Sequence, residues 1–337
     1  MKKGPNGISE PEFREDLVSG DWILIAPGRN KRPDQFVSKE KRAVPPIDNC
    51  PFENPQASGN ADPILRVPAD IRREWEVQVI PNKYPAVSAK SPIMKGDFGP
   101  YLTLSGFGHH DVVITRDHFS NFPKLSPKKA FDLFKVFQER YRMLAADKRV
   151  AYVSIFHNWG AKAGASVYHP HYQMISIPVI PPDVAHSLSG ATRYFRKNRR
   201  CVHCDILSFE MKAGKRVICE SEGAVAFAPF TSREPFEFRV FPKKHLPYFE
   251  ETEEEDLKSV VEVLRKAVGL LERRFPDIDY NIFIHTAPTR SKGRYAHYHW
   301  HVEVMPKVSI SAGFELSTGI EITVVDPDEA AEFIRKG

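Results

Sequence analysis

Tyr168-His169-Pro170-His171-Tyr172-Gln173 sets three nitrogen-bearing side chains at alternate positions, ahead of the apolar run Met174 to Pro178. Alternate residues of an extended strand share a face, so His169, His171 and Gln173 are predicted to point into one pocket. A strand that gives its face to a core has no packing use for three such groups. A neutral imidazole can attack phosphorus or hold a metal, and the spacing offers both chemistries. An isolated histidine is usually a satisfied core or surface residue; the alternation sets this segment apart.

A second chemical signal is Cys201-Val202-His203-Cys204, a C-x-x-C. Such a pair serves metal or redox chemistry. A redox pair would open a helix after a strand in a βαβ unit, whereas this one follows the basic run Arg196 to Arg200 and has histidines downstream. Zinc is therefore the favoured reading. Of the other two cysteines, Cys219 lies in a predicted strand, Val217 to Glu220, as a core residue.

The elements that must position these groups recur. In the first half a strand, His110 to Thr115, ends near Asp117-His118. Ser126-Pro127 then starts a helix, because proline suits the first helical position. Its core face is Ala130, Phe131, Phe134, Phe137, Tyr141 and Leu144. Strand Tyr152 to Phe156, a loop Gly160 to Gly164 and the His169 strand follow. In the second half a strand, Phe236 to Phe241, ends at Lys244-His245. Thr252 to Glu255 reads as a capping box. Its helix would bury Leu257, Val260, Val261, Leu264, Val268 and Leu271. Strand Tyr280 to His285, a polar loop and the strand His297 to Val304 complete it. Each half thus runs strand, histidine, long helix, strand, loop, histidine-rich strand. The predicted class is α+β, with antiparallel sheets, packed helices and two halves, 1–195 and 196–337. Residues 30–70 and 86–100, rich in proline and polar residues, are predicted to be loops or arms.

The 337 residues are 42% hydrophobic and 27% charged, as in a soluble globular protein. No apolar run reaches membrane-spanning length, and MKKGPNGISE lacks the apolar core of a signal peptide, so the expected compartment is the cytoplasm. The net charge of +5 could draw in anionic substrates, but no nucleic-acid-binding signature accompanies it.

Taken in order, further tokens carry a resemblance over nearly the whole chain: Trp22 to Pro27 with Arg29 and Lys31-Arg32-Pro33, Cys50-Pro51-Phe52, Pro81-Asn82-Lys83-Tyr84-Pro85, Asn158 with Gly160 and Gly164, the H-P-H-x-Q of His169 to Gln173, and His299-Trp300-His301 leading to Ala312-Gly313-Phe314-Glu315. The chain resembles the galactose-1-phosphate uridylyltransferase family of the histidine-triad superfamily, and also the plant-type ADP-glucose phosphorylase. The resemblance implies a duplicated histidine-triad-like fold, a homodimer and ping-pong nucleotidyl transfer. The substrates would be a nucleotide sugar and a sugar 1-phosphate. His171 would attack the α-phosphorus, and Gln173 would donate to a phosphoryl oxygen. Hydrolytic members of the superfamily typically have a third histidine at that position, so Gln173 points to a transferase. Arg29 and Arg32 would bind phosphate, a role suited to their bidentate fork. Asn82 and Asn158 match nucleotide- or phosphate-binding asparagines. Gly164 and Ser166 precede the His169 strand, where a backbone approach to phosphate needs small residues.

The resemblance further implies one or two zinc ions. The first set is Cys50, Glu53, His118 and His169. Glu53 stands where the family usually has a second cysteine, and a carboxylate makes that site harder and weaker for zinc. The second set is Cys201, Cys204, His245 and His299. Repeat spacing favours His297 for its last place and the match at Trp300 favours His299, which is preferred. Two activities are expected to compete: UMP transfer from UDP-glucose to galactose 1-phosphate, and phosphorolysis of ADP-glucose or a dinucleoside polyphosphate. The segment Ala312 to Gly319 looks closer to the plant-type enzyme. A histidine-triad hydrolase is suggested by His297, His299 and His301, but their strand lacks the loop of Asn158, Gly164 and Ser166. A non-catalytic zinc module would not need His171 and Gln173.

Overall fold

The computed structural model describes residues 10–27 and 42–337. Its strands are β1 (Glu12–Glu15), β2 (Trp22–Ile25), β3 (Leu65–Val67), β4 (Val77–Pro81), β5 (Lys95–Phe98), β6 (Tyr101–Leu104), β7 (His110–Thr115), β8 (Tyr152–Trp159), β9 (His171–Ile177), β10 (Val217–Glu220), β11 (Ala224–Phe227), β12 (Phe238–Pro242), β13 (Tyr280–His285), β14 (His301–Pro306) and β15 (Ile322–Thr323). The helices are α1 (Pro127–Ala145), α2 (Pro182–Asn198), α3 (Val202–Ala213), α4 (Glu254–Arg274), α5 (Gly313–Thr318) and α6 (Pro327–Arg335). The class is α+β, as expected.

Ten strands form one antiparallel sheet, in the order β10-β11-β12-β14-β13-β8-β9-β7-β4-β3. Counted from the centre outwards, β8-β9-β7-β4-β3 on one side mirrors β13-β14-β12-β11-β10 on the other. The halves join where β8 pairs with β13, with Asn158 opposite Asn281 and Phe156 opposite Phe283. Alternation along the strands gives one sheet face to α1, α4 and α6. Tyr172, Met174, Val302 and Val304 enter that core, and the Tyr172 ring meets Phe137 of α1 at 5.3 Å. The opposite face of β9 is left to His171 and Gln173.

α1 starts as predicted: Ser126 accepts a hydrogen bond from the Lys129 amide (3.2 Å) and proline stands in the first turn. Its core face is buried except for Phe131, which is half-buried. α4 buries all six predicted residues. Its predicted capping box is absent. Glu253 holds the N-cap position with no side-chain bond, and the Thr252 hydroxyl turns back to the Tyr248 carbonyl (3.3 Å). Residues 95–104, read in part as an arm, form a β5–β6 hairpin. No helix among the described residues is long and apolar enough to cross a membrane.

Candidate active site and metal-ligand clusters

β9 begins at His171, two residues later than a strand carrying His169 would require. His169 and His171 therefore part company, contrary to the expectation of a common pocket. His171 and Gln173 line a cleft of about 420 Å3 together with Asn82, Tyr84 and Ser166. His169 is fully buried in a cluster of metal-ligand types behind the cleft.

The His171 ring is fixed by its own backbone. Its Nδ1 lies 2.9 Å from the His169 carbonyl oxygen. A carbonyl only accepts, so Nδ1 carries the proton and Nε2 keeps a lone pair. Burial lowers the pKa below the ordinary histidine value, which keeps the ring neutral. The Phe52 ring packs against it at 5.2 Å between centroids. Behind the strand, His157 Nδ1 donates to the His171 carbonyl (2.7 Å), and its ring stacks on Tyr172 at 4.4 Å. The His157 contact was missed, because nothing in the sequence marks a single histidine on a core-facing strand.

Gln173 Oε1 lies 2.8 Å from His110 Nε2, and Asn82 Nδ2 lies 3.0 Å from the same nitrogen. Asn158 does not line the cleft. It sits on β8, where its Oδ1 accepts from Asn281 Nδ2 (2.8 Å), and the same Asn281 amide holds the Ala163 carbonyl (2.8 Å). Asn158 thus meets the glycine loop from beneath; a methyl group on Gly164 would lie 3.6 Å from its Nδ2. The loop is anchored by Asp279, which accepts from the Lys162 amide (2.7 Å) and pairs with Arg42 (2.7 Å). Gly160 has φ +89°, and a Cβ there would stand 1.9 Å from the Asp279 carboxylate, so only glycine fits. Arg42 also covers the Trp159 ring at 4.1 Å. Arg29 and Arg32 lie outside the described residues.

In the first cluster, ligand atoms of Cys50, His118 and His169 lie within 4.8 Å of one another. His169 Nε2–H donates to the Thr115 carbonyl (2.6 Å), which turns its Nδ1 lone pair toward Cys50 Sγ (3.5 Å) and His118 Nδ1 (3.2 Å). Burial pushes the His169 pKa down to about 4. Glu53 stands at the edge: Oε2 is 3.6 Å from His118 Nδ1 and buried without a partner, whereas Oε1 pairs with Arg116 (2.6 Å). A divalent cation would take the Cys50 thiolate and the two imidazole lone pairs, so these three residues fit the implied metal. Glu53 stands outside that close group, with Oε2 3.6 Å from His118 Nδ1.

In the second cluster, Cys201, Cys204, His245 and His299 converge within the same limit. Cys201 is the N-cap of α3, so the C-x-x-C does open a helix, but helix α2 precedes it and not a strand. His245 Nε2–H donates to the Ala296 carbonyl (2.7 Å), presenting Nδ1 to Cys204 Sγ (3.2 Å). His299 Nδ1 lies 3.6 Å from the same sulfur. The hydrogen bond from Cys204 draws the Cys201 thiol well below its ordinary pKa, against the opposing effect of burial. His297 is elsewhere: its ring stacks on Phe195 (5.1 Å) and its Nε2 accepts from the Thr192 hydroxyl (2.9 Å). The geometry thus selects His299. β14 starts at His301, so the three histidines do not share one strand face as predicted.

A family model described as "Domain of unknown function (DUF4921)" matches residues 101–336. The ADP-glucose phosphorylase of Arabidopsis thaliana is 33% identical over 97% of this chain and 93% of its own length. The chain belongs to the galactose-1-phosphate uridylyltransferase family. A member from Thermotoga maritima, a galactose-1-phosphate uridylyltransferase, is 26% identical over 96% of this chain and 98% of its own length. A crystal structure of the Arabidopsis thaliana ADP-glucose phosphorylase with bound ADP-glucose superposes with a TM-score of 0.82 at 30% identity, covering 97% of this chain and 99% of that one. Within this family frame, the second half repeats the backbone device of the first: His301 Nδ1 faces the His299 carbonyl at 3.2 Å. The position two residues on is Glu303 instead of glutamine, held by Arg233 and Arg239 (both 3.0 Å) and facing His285. His301 is sandwiched between the Phe241 and His285 rings. That copy carries a buried charge network beside a pocket of about 100 Å3, against about 420 Å3 for the cleft at His171.

Proposed function

We propose that the chain is a nucleotidyltransferase that works through a covalent nucleotidyl group on His171. The observation that carries this reading is the bond from His171 Nδ1 to the His169 carbonyl, which leaves the Nε2 lone pair on a residue lining the cleft. Nε2 attacks the α-phosphorus of a nucleoside diphosphate sugar. The N–P bond forms, the bond to the β-phosphate oxygen breaks, and sugar 1-phosphate leaves with the electron pair. The imidazole becomes cationic, and the His169 carbonyl stabilises that charge through Nδ1–H. Gln173 donates to a phosphoryl oxygen without bringing a second acid–base group. In the second step an oxygen of orthophosphate, or of another sugar 1-phosphate, attacks phosphorus, the N–P bond breaks, and neutral imidazole returns.

Asn82, Ser166 and the loop ending at Gly164 bind the nucleotide or its phosphates, and Asn158 supports that loop. Arg29 and Arg32 supply phosphate contacts. The two clusters hold zinc. Cys201, Cys204, His245 and His299 form a closed structural site. Cys50, His118, His169 and Glu53 form the other, and a metal there would fix the turn carrying Phe52 and the start of β9. The halves 1–195 and 196–337 are the two repeats.

For the donor, ADP-glucose with orthophosphate as acceptor is supported by the 33% identity and the 0.82 TM-score to the plant phosphorylase. Uridylyl transfer from UDP-glucose to galactose 1-phosphate is the second reading, supported by the full-length match to the Thermotoga maritima enzyme. Intact-mass measurement after brief mixing with each donor, without acceptor, separates them. A gain of one AMP assigns the donor of the first and a gain of one UMP that of the second. Free nucleotide with no adduct would overturn the transferase mechanism.

A further inference from the structure

Gln173 can donate to a phosphoryl oxygen only if its amide is turned the right way round. A primary amide has two nearly isosteric ends, and nothing in the side chain chooses between them. The choice is made by His110. The Ala86 backbone N–H donates to His110 Nδ1 (3.1 Å). A backbone amide can only donate, so Nδ1 carries the lone pair and the neutral ring bears its proton on Nε2. That nitrogen lies 2.8 Å from Gln173 Oε1. Turned over, Gln173 would set an N–H against another N–H. The carbonyl end is therefore tied to His110, and the NH2 end is left for the cleft.

Asn82 completes the arrangement. Its Oδ1 accepts from the Tyr84 amide (2.8 Å), and its backbone N–H donates to the His110 carbonyl (2.8 Å). Its Nδ2 lies 3.0 Å from the protonated His110 nitrogen. Both are donors, so this contact is not a bond, and the Asn82 amide hydrogens also remain for the cleft. We infer that His110 is a positioning residue, which orients the Gln173 amide through a tautomer fixed by the Ala86 amide. The inference rests on the nucleotidyl-transfer reading above.

The test is a double-mutant cycle on the rate of adduct formation, read by intact mass after rapid mixing with ADP-glucose and with UDP-glucose. His110→Phe keeps a ring and removes the donor. It is expected to slow adduct formation about 10- to 100-fold at saturating donor, with KM changed less than about 3-fold. In a Gln173→Ala background the same change is expected to slow the reaction by less than about 2-fold, because the group it orients is gone. His110→Gln can still donate to the Gln173 oxygen and is expected to recover part of the rate; it also carries the test should His110→Phe melt early. An undiminished penalty in the Gln173→Ala background, or a loss confined to KM, would overturn the inference while leaving the transferase mechanism in place. A wild-type protein that forms no adduct with either donor would overturn both.

Discussion

His171 Nδ1 donates to the carbonyl of His169, two residues earlier in the same chain, at 2.9 Å. The bond links the two chemistries of this half, because the other end of His169 faces Cys50 and His118. It also requires no partner from outside the segment, so it is set as soon as β9 pairs with β7 and β8.

His171→Asn removes the nucleophile from a ring that lines the cleft, on the face of β9 turned away from the main core. Adduct formation is expected to fall by more than about a thousand-fold with the melting temperature nearly unchanged. Rapid-quench intact mass and thermal unfolding check this. Retained adduct in the variant would assign the nucleophile elsewhere.

Cys201→Ser takes one thiolate from the second cluster. Zinc content is expected to drop by close to one ion per chain. The melting temperature should fall by at least about 5 °C, since metal binding there is folding free energy. Elemental analysis beside calorimetry reads both, and an unchanged zinc content would rule out this ligand set.

The Glu53 cluster is expected to lose metal first. Its carboxylate is shared with Arg116, whereas the second cluster has two thiols. In a chelator titration of protein loaded with two zinc ions, one ion should leave at roughly ten-fold or more lower chelator strength. Glu53→Cys should close that gap. Simultaneous release from wild-type protein would contradict the difference in donors.

His157 supplies a pH dependence of stability. Burial holds its pKa down to about 3, below the unfolded value of 6.5. Its contribution is therefore fully present above 6.5 and is lost as pH falls toward 3, by up to about 1.4 kcal/mol per pH unit. His157→Gln can keep the bond to the His171 carbonyl and does not titrate. It is expected to cost on the order of 1–2 kcal/mol at pH 7 and to flatten the acid limb of the stability curve. Denaturant unfolding at pH 7, 6 and 5 measures this; parallel curves for the two proteins would show that folding leaves the His157 pKa unshifted.

Much of this was legible along the chain because it depends on short-range pattern. The apolar period of α1 and α4, the Ser126 cap and the alternation of β9 follow from local geometry. The C-x-x-C follows from residue types that have few other uses, and the histidines of both clusters are expected from the family resemblance. Legibility failed where one local signal had two solutions. Thr252 could cap α4 or turn back to Tyr248, and only the packing of the preceding turn chose the second. His297 and His299 both suit a zinc site by spacing, and the stacking of His297 on Phe195 left His299 to the cluster.

By itself, then, the sequence determined the class of elements and the ligand types, and it singled out His171 and Gln173, because those reside in side chains and their spacing. Only the tertiary structure decided that the His169 ring turns away from the cleft that His171 lines, and that Asn158 meets a loop from beneath. It also brought Asp279, Asn281 and His110 into contact with these groups. These are long-range contacts between chain segments whose proximity no local pattern encodes. They exist because β8 pairs with β13 and β9 with β7, joining two halves into one sheet.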